Sequence, residues 1–260
     1  TGGYRRTPVM QIGAEVYCDS ACIGRELDKR FPTPTLFPPG TQGVATMVGA
    51  WADRTMFFDA VGVVFGTLGN LVPNDLRLDR LKFSDGQIDL ERYQREQPQL
   101  RSQLRAHLFW LEHAFDDGRP FVLGAAASWA DFCLYHPVWM VQGRVSDLGM
   151  LADMPRTAAW FERMVAFGHG RPQELDSKAA LAIAQAATPE ATKLGHPEMS
   201  EGFAIGMPVT VAPDDYGKDP VAGTLVAMNA QRIVIRRADP AVGEVNVHFP
   251  RAGFALSKVA

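Results

Sequence analysis

The sequence predicts a multidomain α+β protein, and three observations predict it. The chain opens as strand, turn, strand and helix, continues as consecutive helices without intervening strands, and closes in short alternating strands. In the opening, Val9-Met10-Gln11-Ile12 is an apolar run ended by Gly13-Ala14, and Glu15-Val16-Tyr17 returns, so the pair reads as a hairpin. Asp19 or Ser20 then supplies a helix N-cap, with Ile23 and Leu27 repeating at helical spacing. Phe31-Pro32-Thr33-Pro34 stops that helix, because proline biases the residue before it away from the α region. The four prolines and two glycines of residues 32–43 read as a linker.

The middle stretch is read as helices over residues 44–71, 90–115, 128–141, 154–167 and 173–187. In the second of these, Leu100, Leu104, Leu108 and Leu111 form one apolar stripe. Consecutive helices argue for a bundle. Near residue 200 the character changes. Strands are expected at 207–211, 221–228, 232–236, 244–249 and 254–259, separated by Pro, Gly, Asp and Asn, which suggests a small SH3-like barrel. The expected domains are therefore 1–38, 44–187 and 205–260, with a linker at 188–204.

Composition narrows the function classes. At 260 residues the chain is long enough for two domains, and 47% hydrophobic with 21% charged residues is ordinary for a globular protein. A net charge of −3 gives no general attraction for nucleic acid or an anionic membrane. In residues 201–260 the six basic residues are balanced by six acidic ones, which weakens a nucleic-acid role for that module. No apolar run approaches the roughly 20 residues that span a bilayer; the longest is interrupted by Gly62, Gly66 and Gly69. Three cysteines, Cys18, Cys22 and Cys133, are too few and too uneven for a disulfide framework and suit a reducing cytoplasm. The Cys18–Cys22 spacing has no second ligand pair beside it, so no metal site is expected.

Four short motifs, in order, resemble the glutathione S-transferase family over residues 1 to about 170. Thr7-Pro8 resembles the loop in which the residue before a cis-proline pairs its backbone with the cysteinyl part of glutathione. Asp19-Ser20, eleven residues on, resembles the acidic-Ser pair that holds the γ-glutamyl end. A helix N-terminus there offers unpaired N–H groups and a partial positive charge to a carboxylate. Ser128-Trp129-Ala130-Asp131 resembles the family's structural capping box, in which Ser128 accepts from the third helical amide and Asp131 reaches back to the Ser128 amide. Asp153-Met154-Pro155 followed by Trp160 resembles the later helix.

The resemblance implies a partial thioredoxin-like domain, an all-helical domain and glutathione as co-substrate. It implies thiolate attack on an electrophilic small molecule, in a cytoplasmic homodimer of the bacterial detoxification type with no nucleic-acid or membrane partner. Trp51, Phe57 and Phe58 are candidates for the electrophile pocket, against the plainer reading as core or dimer interface. The family activates the thiol with Tyr, Ser or Cys near the end of its first strand, some fifty residues before the Thr-Pro loop. Only seven residues precede Pro8 here, so the catalytic residue is expected upstream of residue 1. Tyr4, Tyr17 and Cys18 are nearest by sequence and read as loop or sheet residues.

Three other groups are read plainly. His107 and His113 are surface or packing residues, Asp214-Asp215-Tyr216-Gly217 is a turn with Asx chemistry, and His248 is a satisfied histidine. Two competing functions remain: a non-catalytic scaffold for protein interaction, and a glutathione-dependent isomerase or dehalogenase that would share the same glutathione site.

Overall fold

The computed structural model describes residues 1–192, 194 and 202–259, so much of the expected linker at 188–204 lies outside the described residues. The chain divides into two compact units. One combines Thr1–Arg30 with Gln173–Ala260, and the other is Phe31–Pro172.

The first unit is built on one sheet. Strands β1 (Val9–Ile12) and β2 (Glu15–Cys18) form the expected antiparallel hairpin, followed by helix α1 (Ser20–Arg30). The five later strands also form, within a few residues of their expected bounds: β3 (Pro208–Pro213), β4 (Val221–Met228), β5 (Arg232–Asp239), β6 (Gly243–Pro250) and β7 (Phe254–Lys258). They do not stand apart as an SH3-like barrel. All seven strands make one sheet in the order β1-β2-β6-β5-β4-β3-β7, which stays open. The link is β2 with β6, parallel, with Val16 opposite Val247 and Tyr17 opposite His248.

A physical reason for that correction is visible in the hairpin. Two four-residue strands cannot stand alone, and β2 is buried along its whole length, so its second edge requires a partner. β6 supplies one, and its last six residues are buried on both faces. On one face Val16, Cys18, Val247 and Phe249 join Val209, Leu225 and Ile235 in an apolar core. On the other, Tyr17 packs with Cys22 and Ile23 of α1.

The second unit is helical. α2 (Gln42–Trp51) and α3 (Phe57–Leu68) are joined by a π-helical turn, Ala52–Met56, into one long rod. A helix not expected from the sequence follows, α4 (Asn74–Phe83); its apolar periodicity is weak and only Phe83 is buried. The expected long helix 90–115 is two, α5 (Leu90–Arg95) and α6 (Gln97–His113), because Pro98 begins a new first turn. α7 (Trp129–Val145) and α8 (Pro155–Val165) complete the unit. Leu104, Leu108 and Leu111 are buried against Leu134, Val138 and Trp160, which confirms the stripe. Gly66 is a close-approach point: a Cβ there would stand 2.6 Å from the Tyr93 carbonyl oxygen.

The Ala-rich segment 173–187, read as the bundle's fifth helix, is α9 (Ser177–Ala186) and belongs to the first unit. Its Ala184 is buried in the apolar core of the sheet, and Gln185 Nε2 donates to the Ala241 carbonyl at 2.6 Å. Small side chains allow that close packing, which periodicity alone assigns to no particular neighbour.

Candidate functional site

Hairpin register sets the geometry at the start of the chain. The ladder ends with Val9 opposite Cys18, so Pro8 and Asp19, the residues just outside it, leave the hairpin at the same end. The Thr7–Pro8 peptide bond is cis. Asp19 takes a left-handed conformation, φ 74°, which Asp tolerates better than most residues. That turn starts α1 directly at the end of β2. The Asp19 Oδ1 accepts the Ala21 N–H at 2.9 Å, and the Asp19 carbonyl accepts from Cys22 and Ile23. Thr7 and Pro8 are exposed, and Asp19 and Ser20 are half-buried. The hairpin therefore brings the four residues to one end of the sheet, beside a helix N-terminus.

The residues nearest this end by sequence are poor thiol activators. Tyr4 is core, its ring against Phe249 and Phe254 at 6.1 and 6.2 Å, and burial pushes its hydroxyl far above the ordinary range. Tyr17 is stacked on His248 with ring centroids 4.4 Å apart, and burial raises it to about 12. Cys18 and Cys22 are buried free thiols, each pushed up to about 12 by desolvation, so neither holds thiolate at neutral pH. All three residues named from the sequence are thus structural, as read.

Ser128 and Asp131 form the expected capping box at the start of α7. Asp131 is fully buried, and its carboxylate accepts from the Ser128 N–H (2.8 Å), the Ser128 hydroxyl (2.7 Å), the Val122 N–H (2.8 Å) and the Trp160 indole (3.0 Å). Nothing is left over for chemistry. Trp51, Phe57 and Phe58 do not form one wall. Trp51 packs on His107 and Trp110, whereas Phe57 meets Phe58 and His136 in a separate cluster.

Several polar groups were not legible as partners. His107 is buried and its Nε2 lies 2.9 Å from Asp59, whose carboxyl burial raises despite the histidine. His248 is buried with Nε2 2.5 Å from Glu15 Oε2, so the satisfied histidine expected from the sequence has its partner there; among the described residues its Nδ1 has none. Burial opposes ionisation of Glu15, but hydrogen bonds from His248, the Glu190 N–H and Asn246 hold it below its ordinary value. Arg6 was missed altogether. It donates to the Asp215 carboxylate and to the Tyr216 carbonyl, more than 200 residues away. A shallow depression of about 460 Å³ on β3–β5, lined by Thr224, Arg236 and Arg237, contains none of the expected site residues. Among the described residues, no three His, Cys, Asp or Glu side chains converge as a metal site requires, and no helix is long and apolar enough to cross a membrane.

Comparison with known proteins gives this geometry a context. Residues 78–163 match the model of the glutathione S-transferase C-terminal domain. A GST-like protein from Pseudomonas syringae, known from its crystal structure, is 32% identical, covering 99% of this chain and 84% of its own, with a TM-score of 0.80. The chain belongs to the glutathione S-transferase family. The glutathione S-transferase of Ceriporiopsis subvermispora, solved in complex with glutathione, shares the fold at 20% identity and a TM-score of 0.53, covering 65% of this chain and 74% of its own. No curated protein matches the sequence. The family model falls within the helical unit, where the Ser128–Asp131 box and the buried Trp160 lie. The Pseudomonas relative extends the likeness through the C-terminal strands, since it covers nearly the whole chain.

Proposed function

We propose that the protein binds glutathione at Thr7, Pro8, Asp19 and Ser20 and presents its thiol to an electrophilic small molecule. One observation carries this reading: the hairpin ladder ends at Val9 opposite Cys18, so the cis Thr7–Pro8 peptide and the Asp19-Ser20 pair at the start of α1 leave the sheet at the same end. In such an arrangement the Thr7 backbone pairs with an extended peptide. The N-terminus of α1 and the Ser20 hydroxyl receive its terminal carboxylate, and the Asp19 carboxylate faces its amino group. Thermal melting of the full chain with millimolar glutathione tests it. The melting temperature rises with glutathione, and Ser20→Ala weakens the apparent affinity by about tenfold, as loss of one charge-assisted hydrogen bond does. No rise in the parent protein sinks the proposal.

A non-catalytic binding role is the second reading: Tyr4, Tyr17 and Cys18 are all buried, with raised pKa values, so activation of the thiol falls to a residue other than these three. Glutathione binding without conjugation of a chloronitrobenzene selects that role. The same family reading makes the protein a homodimer, and Val44, Met47, Phe109 and Trp110, exposed on α2 and α6, offer apolar surface for it. Sedimentation as a monomer at micromolar concentration removes that part.

A further inference from the structure

The loop after β3 reaches the segment that leads into Thr7-Pro8. Asp215 Oδ1 accepts the N–H of Tyr216, the next residue, at 2.9 Å, a shorter-range bond than the two-residue reach of the Asx turn expected from the sequence. The Asp214 N–H is tied to the Gly253 carbonyl at 3.0 Å, which anchors the loop to the turn before β7. Arg6 then closes on this loop three ways. One guanidinium nitrogen donates to the Asp215 carboxylate and to the Tyr216 carbonyl, and the guanidinium plane lies 3.8 Å over the Tyr216 ring. Both charged side chains are largely withdrawn from water, with 14% of Arg6 and 20% of Asp215 exposed. A pair so shielded is worth more than a surface ion pair and holds its geometry more tightly. Burial works to raise the Asp215 carboxyl, yet the hydrogen bond and charge of Arg6 outweigh it and hold it low.

Two residues earlier, Tyr4 is bolted into the same strands through Phe249 of β6 and Phe254 of β7. The segment 4–6 is therefore held at both ends by residues from the last 50 positions of the chain. Thr7 follows Arg6 immediately and is exposed. Its backbone direction is set by where Arg6 is pinned. Lysine could not repeat this, since a point charge offers neither the planar stack nor the fork geometry.

We propose that Arg6, Asp215 and Tyr216 are positioning residues that fix the Thr7 backbone for pairing with the cysteinyl part of glutathione. The C-terminal strands thereby become part of the binding machinery rather than an appended module. This rests on the glutathione reading above, and the test separates the two.

Glutathione affinity is measured by titration calorimetry on the full chain for the parent, Asp215→Asn, Asp215→Glu, Arg6→Lys and Tyr216→Leu. Glu244→Gln, an exposed change on β6 away from the loop, serves as control. Expected are affinities weakened about tenfold in Asp215→Asn and Arg6→Lys and about threefold in Tyr216→Leu, with partial recovery in Asp215→Glu. The control keeps the parent affinity. The amide resonance of Thr7 shifts in Asp215→Asn even without ligand and returns toward the parent position in Asp215→Glu, which a merely stabilising ion pair would not produce. Parent binding with unchanged affinity in Arg6→Lys and Tyr216→Leu overturns this proposal and leaves the glutathione reading standing, even if Asp215→Asn fails to fold. Absence of binding in the parent overturns both.

Discussion

Two helices in this protein begin with a serine–aspartate pair, and they use it differently. At the start of α7, Asp131 follows Ser128 by three residues, is fully buried and receives four hydrogen bonds. At the start of α1, Asp19 precedes Ser20 directly, both are half-buried, and Asp19 bends the chain through a left-handed turn. A third start resembles the first. Glu112 caps α8 from another helix, accepting the Arg156 and Thr157 N–H groups and the Thr157 hydroxyl at 2.7–3.1 Å. The difference teaches how to tell a structural helix start from a ligand-facing one. Where a buried carboxylate consumes the orphan N–H groups, the start is finished as structure. Where the capping pair is only half-buried, as at α1, Asp19 takes the Ala21 N–H while the Ser20 hydroxyl stays within reach of solvent.

The sharpest way to break that comparison is Asp131→Ala. It strands the Val122 and Ser128 amides and the Trp160 indole in the core, and is expected to cost about 4 kcal/mol in urea unfolding. A loss below about 1 kcal/mol would mean that the carboxylate is not what holds α7's start.

Glu112 sharpens it through pH. Burial alone would raise its carboxyl, but the bonds from Thr157 and Arg156 outweigh burial and lower it. A lowered folded value means stability that is fully present above the ordinary glutamate range near 4.5 and is lost as pH falls through the folded value. Stability should therefore decline below about pH 4.5, and Glu112→Gln should flatten part of that decline. It should also cost about 2 kcal/mol at neutral pH, because an amide cannot accept from every donor. Glu15 and Glu26, also lowered, retain the rest of the slope. An unchanged slope in Glu112→Gln contradicts the assignment.

The smallest effect belongs to Ser20→Ala. If α1's start is ligand-facing, the variant unfolds within about 0.5 kcal/mol of the parent, as a surface change does, while its glutathione affinity falls. A stability loss of 1 kcal/mol or more would move Ser20 into the same structural class as Ser128.

How much could be read beforehand varied with distance along the chain. Hairpin, α1, the leucine stripe of α6, the capping box and five late strands were legible because each depends on neighbours within a turn or a ladder step: apolar period, proline stops and the Ser-x-x-Asp spacing. Four candidate residues for the proposed glutathione site could be named because the family's motifs are themselves local. The break at Glu96 and helix α4 were missed, since weak periodicity hides short helices.

The sequence by itself determined which segments become strand or helix, and that α7 opens on a satisfied carboxylate. Only the tertiary structure decided that β6 seats itself against β2, making one sheet from the first and last parts of the chain. Arg6 with Asp215, Glu15 with His248 and Asp59 with His107 are likewise tertiary outcomes. Local periodicity carries information about which face of an element is buried, but none about what buries it. Strand pairing and ion pairing are settled by which edge or charge is still unsatisfied when distant segments meet.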